Sequence, residues 1–99
     1  MIDLSAIEGF DWDDGNARKN LVKHGVSQAE AEQIFAAEPL LLEDFTNSGA
    51  EARFQALGET IEGRRLHVSF TLRGGHRKIR IISARDMNRK ERAVYEQAT

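Results

Sequence analysis

Pro39, the one proline of this chain, separates two hydrophobic periods. Before it, Ala17 and Leu21, and then Ala31, Ile34 and Phe35, recur at the spacing of a helix face. After it, Leu66, Val68, Phe70 and Leu72 alternate with His67, Ser69 and Thr71, the period of a strand with one face buried. Runs of helix and then of strand, without alternation between them, indicate an α+β domain whose helices pack on one face of an antiparallel sheet.

Local signals place the elements. Asp13 or Asp14 caps a helix running to about His24. Lys19, Lys23 and His24 suit its negative end, and Gly25 stops it. Ser27 with Glu30 three residues on forms a capping box for a second helix, which Pro39 ends. Strands are expected at Leu40–Phe45, Arg53–Leu57, Leu66–Leu72 and Lys78–Ser83, joined by turns at Asn47-Ser48-Gly49, Glu62-Gly63 and Gly74-Gly75. Asn88 with Glu91 opens a last helix through Tyr95 and Glu96. The expected fold is two N-terminal helices, a four-stranded antiparallel sheet and a C-terminal helix. Residues 1–9 read as an irregular leader of unknown role, Phe10-Asp11-Trp12 as a short apolar anchor, and 10–99 as a single domain.

The absence of cysteine excludes disulfides, thiolate zinc sites and a catalytic thiol. No apolar run reaches the ~18 residues of a membrane span. Asp3 and Glu8 stand where a secretory signal has basic and apolar residues. A cytoplasmic protein without membrane contact is the expectation.

Charge is segregated. From residue 63 onward ten Lys and Arg face three acids, whereas residues 1–62 hold four against thirteen. Such asymmetry points to an anionic ligand, nucleic acid being the commonest, although two solvated faces that neutralise each other would look the same. If Leu66, Val68 and Phe70 face the helices, His67, Ser69 and Thr71 face away, with Arg53 and Gln55 beside them and Lys78 and Arg80 on the last strand. Arg85, Arg89 and the basic helix lie close by. A cationic face of this kind suits the phosphates of single-stranded RNA, each neutralised phosphate adding close to one unit to the log–log salt dependence. Tyr95 either stacks a base or packs beneath the final helix.

Other groups have simpler explanations. Asp11, Asp13 and Asp14 lack the deliberate spacing of a metal loop and read as caps. His24 is either a general acid–base group or the cap of its helix. Glu91 is either a base or a helix cap, and His76 in the glycine turn is bystander surface. No Ser–His–Asp pattern, phosphate loop or helix–turn–helix spacing can be traced.

Together, Phe10, Trp12, Asp13, Asn20, Lys23-His24-Gly25-Val26, Phe35, Glu51-Ala52-Arg53-Phe54, Gly58, Arg80-Ile81-Ile82-Ser83-Ala84-Arg85, Glu91 and Tyr95 resemble the BrnT family of toxins from bacterial type II toxin–antitoxin systems. The set runs over almost the whole chain in order, and its specificity lies in that order. Asn16 departs from it, standing where the family usually carries Lys. The resemblance implies a RelE-like fold and an endoribonuclease that needs no cofactor or metal and blocks translation. It also implies a BrnA-type antitoxin partner, through which alone the toxin meets DNA. On this reading Arg53 and Arg85 stabilise the reacting phosphate, His24 is the acid–base candidate, and Lys78, Arg80, Arg89 and Tyr95 hold RNA. The alternative is a non-catalytic RNA- or protein-binding module on the same fold.

Overall fold

The computed structural model describes residues 4–44, 53–75 and 77–98. The expected turn at Asn47-Ser48-Gly49, together with Phe45, Glu51, Ala52 and His76, lies outside them. Helix α1 (Asp14–His24) starts where the Asp13 carboxylate accepts from the Gly15 and Asn16 N–H groups. It ends at Gly25, whose φ of 68° suits a residue without Cβ. Helix α2 (Gln28–Ala36) carries the full Ser27–Glu30 capping box and stops short of Pro39. Strands β2 (Leu40–Asp44), β3 (Arg53–Glu59), β4 (Arg65–Arg73) and β5 (Lys78–Asp86) are antiparallel neighbours, and helix α3 (Arg89–Ala98) follows. Gly74 and Gly75, with φ of 59° and 68°, begin the turn from β4 to β5, in a backbone region that favours a residue without Cβ.

Two expectations are corrected. The sheet has five strands, not four, and is mixed. Gly9–Phe10, here β1, pairs parallel to β5 at Lys78 and Ile79, giving the order β1-β5-β4-β3-β2. Two residues pairing with a partner about seventy positions away leave no local period to read. Ahead of β1, Leu4–Ala6 forms a 3-10 turn, and Leu4 and Ile7 pack against the core. Nor do the helices share one face. α1 and α2 pack on the side of Val68, Phe70, Ile79 and Ala84. α3 meets the opposite side, where Glu91 reaches His67 and Arg85 and where Tyr95 meets Arg65.

The core gathers Val26, Ala31, Ile34, Ala56, Leu66, Val68, Phe70, Ile79, Ile81 and Ala84. Across it Phe10, Phe35, Phe70 and Phe54 form a chain of rings with centroids 5.2–5.6 Å apart, tying β1, α2, β4 and β3 together. Gly58 lets α2 approach β3 closely, since a Cβ there would lie 2.9 Å from the Ile34 Cβ.

Beyond Ile79, no described strand pairs with the edge of β5 away from β4, and α1 covers that edge. Asn16 and Asn20, four residues apart on one helix face, serve it. The Asn20 amide accepts from the Ala84 N–H at 2.8 Å and donates to the Ala84 carbonyl at 2.9 Å, as a neighbouring strand would. It donates a further bond to the Val26 carbonyl. The Asn16 amide donates to the carbonyls of Ile81 and Ile82, where β5 bulges. Ser69 pairs with Ser83 and Phe70 with Ile81, so Ile82 is the extra residue.

Candidate functional site

That bulge decides which cations share a face. Ile79 and Ile81 point into the core, and unbroken alternation would send Ser83 and Arg85 after them. The extra residue resets the phase: Ala84 turns inward and Arg85 outward, onto the side of Lys78 and Arg80. The rows across β4 and β5 on this side are His67 with Arg85, Ser69 with Ser83, Thr71 with Arg80 and Arg73 with Lys78. From β3, Leu57 lies opposite His67 and Gln55 opposite Ser69, and Arg53 opens the strand in the same phase.

The register therefore matches the expectation, but this face is not open. Leu57 is fully buried, Ser69 and Thr71 nearly so, and the His67 side chain is only 13% exposed. The Ser69 hydroxyl donates to Gln55 at 2.7 Å. α3 accounts for the cover over the Leu57–His67–Arg85 row, its Glu91 side chain standing on it.

Arg85, Glu91 and His67 form one cluster. The Arg85 guanidinium donates from both terminal nitrogens to the two Glu91 oxygens, each at 2.8 Å, and also to the Asp86 carbonyl. Glu91 Oε1 further accepts from the Asn88 N–H, as Asn88 Oδ1 does from the Glu91 N–H, so the same residue is both helix cap and ion-pair partner. Glu91 Oε2 stands 3.7 Å from His67 Nε2, while His67 Nδ1 is buried. Burial pushes the Glu91 carboxyl up, but hydrogen bonds from Arg85 and Asn88 outweigh it and hold it below the usual range. The bond to Glu91 raises Arg85. Burial lowers His67; the Glu91 charge offsets part of this, and the nearby Arg85 lowers it again.

The other predicted residues spread out from this cluster. Arg53 is exposed at the start of β3, and Lys78 is exposed at the far end of β5. Arg89 is exposed at the first position of α3, where a cation opposes the helix dipole. Tyr95 is half-buried, and the Arg65 guanidinium lies 5.6 Å from its ring centre, so a base stacking on that ring face must displace Arg65. Arg65 is itself held by Glu59 and Glu96. Arg80 turns toward α1 and lines a cleft of about 380 Å³ with Asp13, Gly15, Asn16, Lys19, Ile81 and Ile82. Sequence reasoning gave Lys19 only a role in the helix dipole; the cleft sets it with Arg80.

No hydrogen bond or ion pair among the described residues joins His24 to Arg53 or Arg85. His24 ends α1 on the α1–α2 side of the sheet, where its carbonyl accepts from Arg64. Arg64 also grips both Asp86 oxygens, the Gly25 carbonyl and Glu30, and these bonds raise Arg64 and lower Asp86. Asp86 is thus committed to Arg64, and Glu91 is the partner of Arg85. The strand period marked His67 as outward-facing; its meeting with Glu91 had no local signal.

Among the described residues no three His, Asp or Glu side chains are grouped to hold a metal ion. No helix among them is long and apolar enough to cross a membrane.

Residues 12–91 match the family model described as the ribonuclease toxin, BrnT, of type II toxin–antitoxin systems. Among solved structures, the chain is similar to the Brucella abortus ribonuclease toxin BrnT, crystallised at 1.1 Å resolution. The TM-score is 0.62 and the identity 23%, over 82% of this chain and 97% of that one. That likeness is one of fold. No curated protein matches the chain.

Proposed function

The chain belongs to the BrnT family, the ribonuclease toxins of type II toxin–antitoxin systems, and on that premise we propose that it is a metal-independent endoribonuclease that blocks translation in the cytoplasm and is neutralised by a BrnA-type antitoxin. The observation that carries this reading is the paired fork of Arg85. Glu91 presents to it two oxygens in the bidentate geometry that a phosphodiester also offers. A phosphate that displaces Glu91 meets an oriented, permanently charged donor pair. Lys78 and Arg80, from the same strand face, extend the contact along the RNA backbone, and Arg89 extends it from the head of α3. Arg53 is the second candidate for stabilising charge on the reacting phosphate. The nucleophile is the adjacent 2′-hydroxyl, which requires no metal-bound water.

The alternative reading is a binding module that cuts nothing, and one feature favours it: both terminal nitrogens of Arg85 are already bonded to Glu91 and must exchange it before they hold a phosphate. Turnover separates the two. Total RNA is incubated with the purified protein in excess EDTA, beside Arg85→Ala. The toxin reading expects cleavage by the wild type and a loss of about 10²-fold or more in the variant, larger than its loss of RNA binding. Intact RNA with a saturable, salt-sensitive mobility shift supports the binding module and refutes an enzyme that cuts RNA without the ribosome.

A further inference from the structure

We propose that His67 is the proton-transfer residue of this site and that Glu91 is the carboxylate that orients and stabilises it. The inference rests on the ribonuclease reading and deepens it by naming the group that moves the proton.

Position comes first. His67 lies in β4 directly across from Arg85, so imidazole and guanidinium share one row of one sheet face. Glu91 descends from α3 between them, with one oxygen 2.8 Å from Arg85 Nη2 and 3.7 Å from His67 Nε2. His24, by contrast, lies on the other side of the sheet. The two ring nitrogens of His67 also differ. Nδ1 is sealed from solvent, whereas Nε2 faces the carboxylate, so Nε2 is the atom available for chemistry.

Burial gives a second reason. Burying a polar imidazole costs stability, and an apolar side chain beside the fully buried Leu57 would avoid that cost. The groups facing the imidazole are Leu57 from β3, Arg85 from β5 and Glu91 from α3, with Arg65 two residues away on its own strand. Together they leave a neutral imidazole, a base ready to accept a proton.

The step balances without a co-reactant. His67 Nε2 takes the proton of the 2′-hydroxyl as its oxygen bonds to phosphorus. The bond from phosphorus to the 5′-oxygen then breaks, and the same proton passes from the imidazolium to that oxygen. The products are a 2′,3′-cyclic phosphate and a 5′-hydroxyl. Charge is conserved locally: Arg85 exchanges the Glu91 carboxylate for the phosphate, and Glu91 exchanges the guanidinium for the imidazolium. Glu91 regains a cationic partner only as the imidazolium forms, so its charge favours the proton transfer, and the closed ion pair with Arg85 is the resting state of the site. The 3.7 Å gap then shortens as the imidazolium forms, since such bonds are often long before substrate binds.

The test uses an oligonucleotide carrying a site that the wild type cuts in total RNA, made with its ordinary linkage and with sulfur replacing the bridging 5′-oxygen. A thiolate leaves without being protonated. His67→Gln should cut the ordinary linkage about 10²- to 10⁴-fold more slowly than the wild type. On the sulfur linkage that deficit should shrink at least tenfold. His67→Leu, which fills the buried position with apolar atoms, should melt no lower than the wild type and repeat the pattern. Equal deficits on both linkages, or no deficit on either, overturn the proposal while leaving the ribonuclease reading standing. A wild type that cuts no RNA at all overturns the ribonuclease reading, and this one with it.

Discussion

Replacing Asn20 by Ala should remove a large share of the protein's stability, although Asn20 touches none of the proposed chemistry. Its amide makes three hydrogen bonds of 2.8–3.1 Å, two with Ala84 and one with Val26. Asn20 is 5% exposed, and Val26 and Ala84 are fully buried, so water cannot replace the lost partner. The truncation orphans the Ala84 N–H, the Ala84 carbonyl and the Val26 carbonyl. At about 1–3 kcal/mol for each unsatisfied buried group, with carbonyls at the lower end, the loss is about 3–5 kcal/mol. Domains of this size hold about 5–15 kcal/mol in total, and each kcal/mol lowers the melting temperature by about 4–8 °C. The variant should therefore melt at least about 12 °C lower, with its urea midpoint reduced in proportion and its denaturant slope unchanged. Asn20→Asp keeps the acceptor for Ala84 N–H but turns an oxygen toward two carbonyls, and should do no better than Ala at neutral pH. A melting temperature within about 4 °C of the wild type for Asn20→Ala would refute the idea that a side-chain amide replaces a missing strand at this edge.

Asn16→Ala should cost about 1–2 kcal/mol for its two half-buried bonds, read from urea denaturation. It should also lower RNA cleavage by more than that loss of stability explains, because those bonds sit on the bulge that turns Arg85 outward; unchanged cleavage would detach the bulge from the site. Stability should fall on acidification. Glu30, Asp86 and Glu91 all have folded-state values below their ordinary ones, so their contribution is complete above about pH 4.5 and is lost as pH falls through the lowered values. Arg64→Met removes the cation that Glu30 and Asp86 share. It should cost about 1 kcal/mol, since these side chains are partly solvated, and should flatten the acid limb of a melting-temperature profile against pH.

What the sequence determined by itself is the local grammar. The Asp13 cap and Gly25 stop, the Ser27–Glu30 box, Pro39, the Gly74-Gly75 turn and the alternation of β4 each act within a few residues, and each was legible for that reason. The ordered motif set carried the family in the same way. What only the tertiary structure decided is how distant pieces meet. Glu91 pairs with Arg85 and stands near His67 because α3 crosses the sheet face opposite α1 and α2. β1 joins β5 across some seventy residues. Above all, the extra residue at Ile82 places Arg85 on the side of Arg80, and Asn16, on a helix far earlier in the chain, satisfies the carbonyls it exposes. Side-chain alternation has a period of two, so a single inserted residue reverses everything beyond it, and no window of sequence shows where that residue falls.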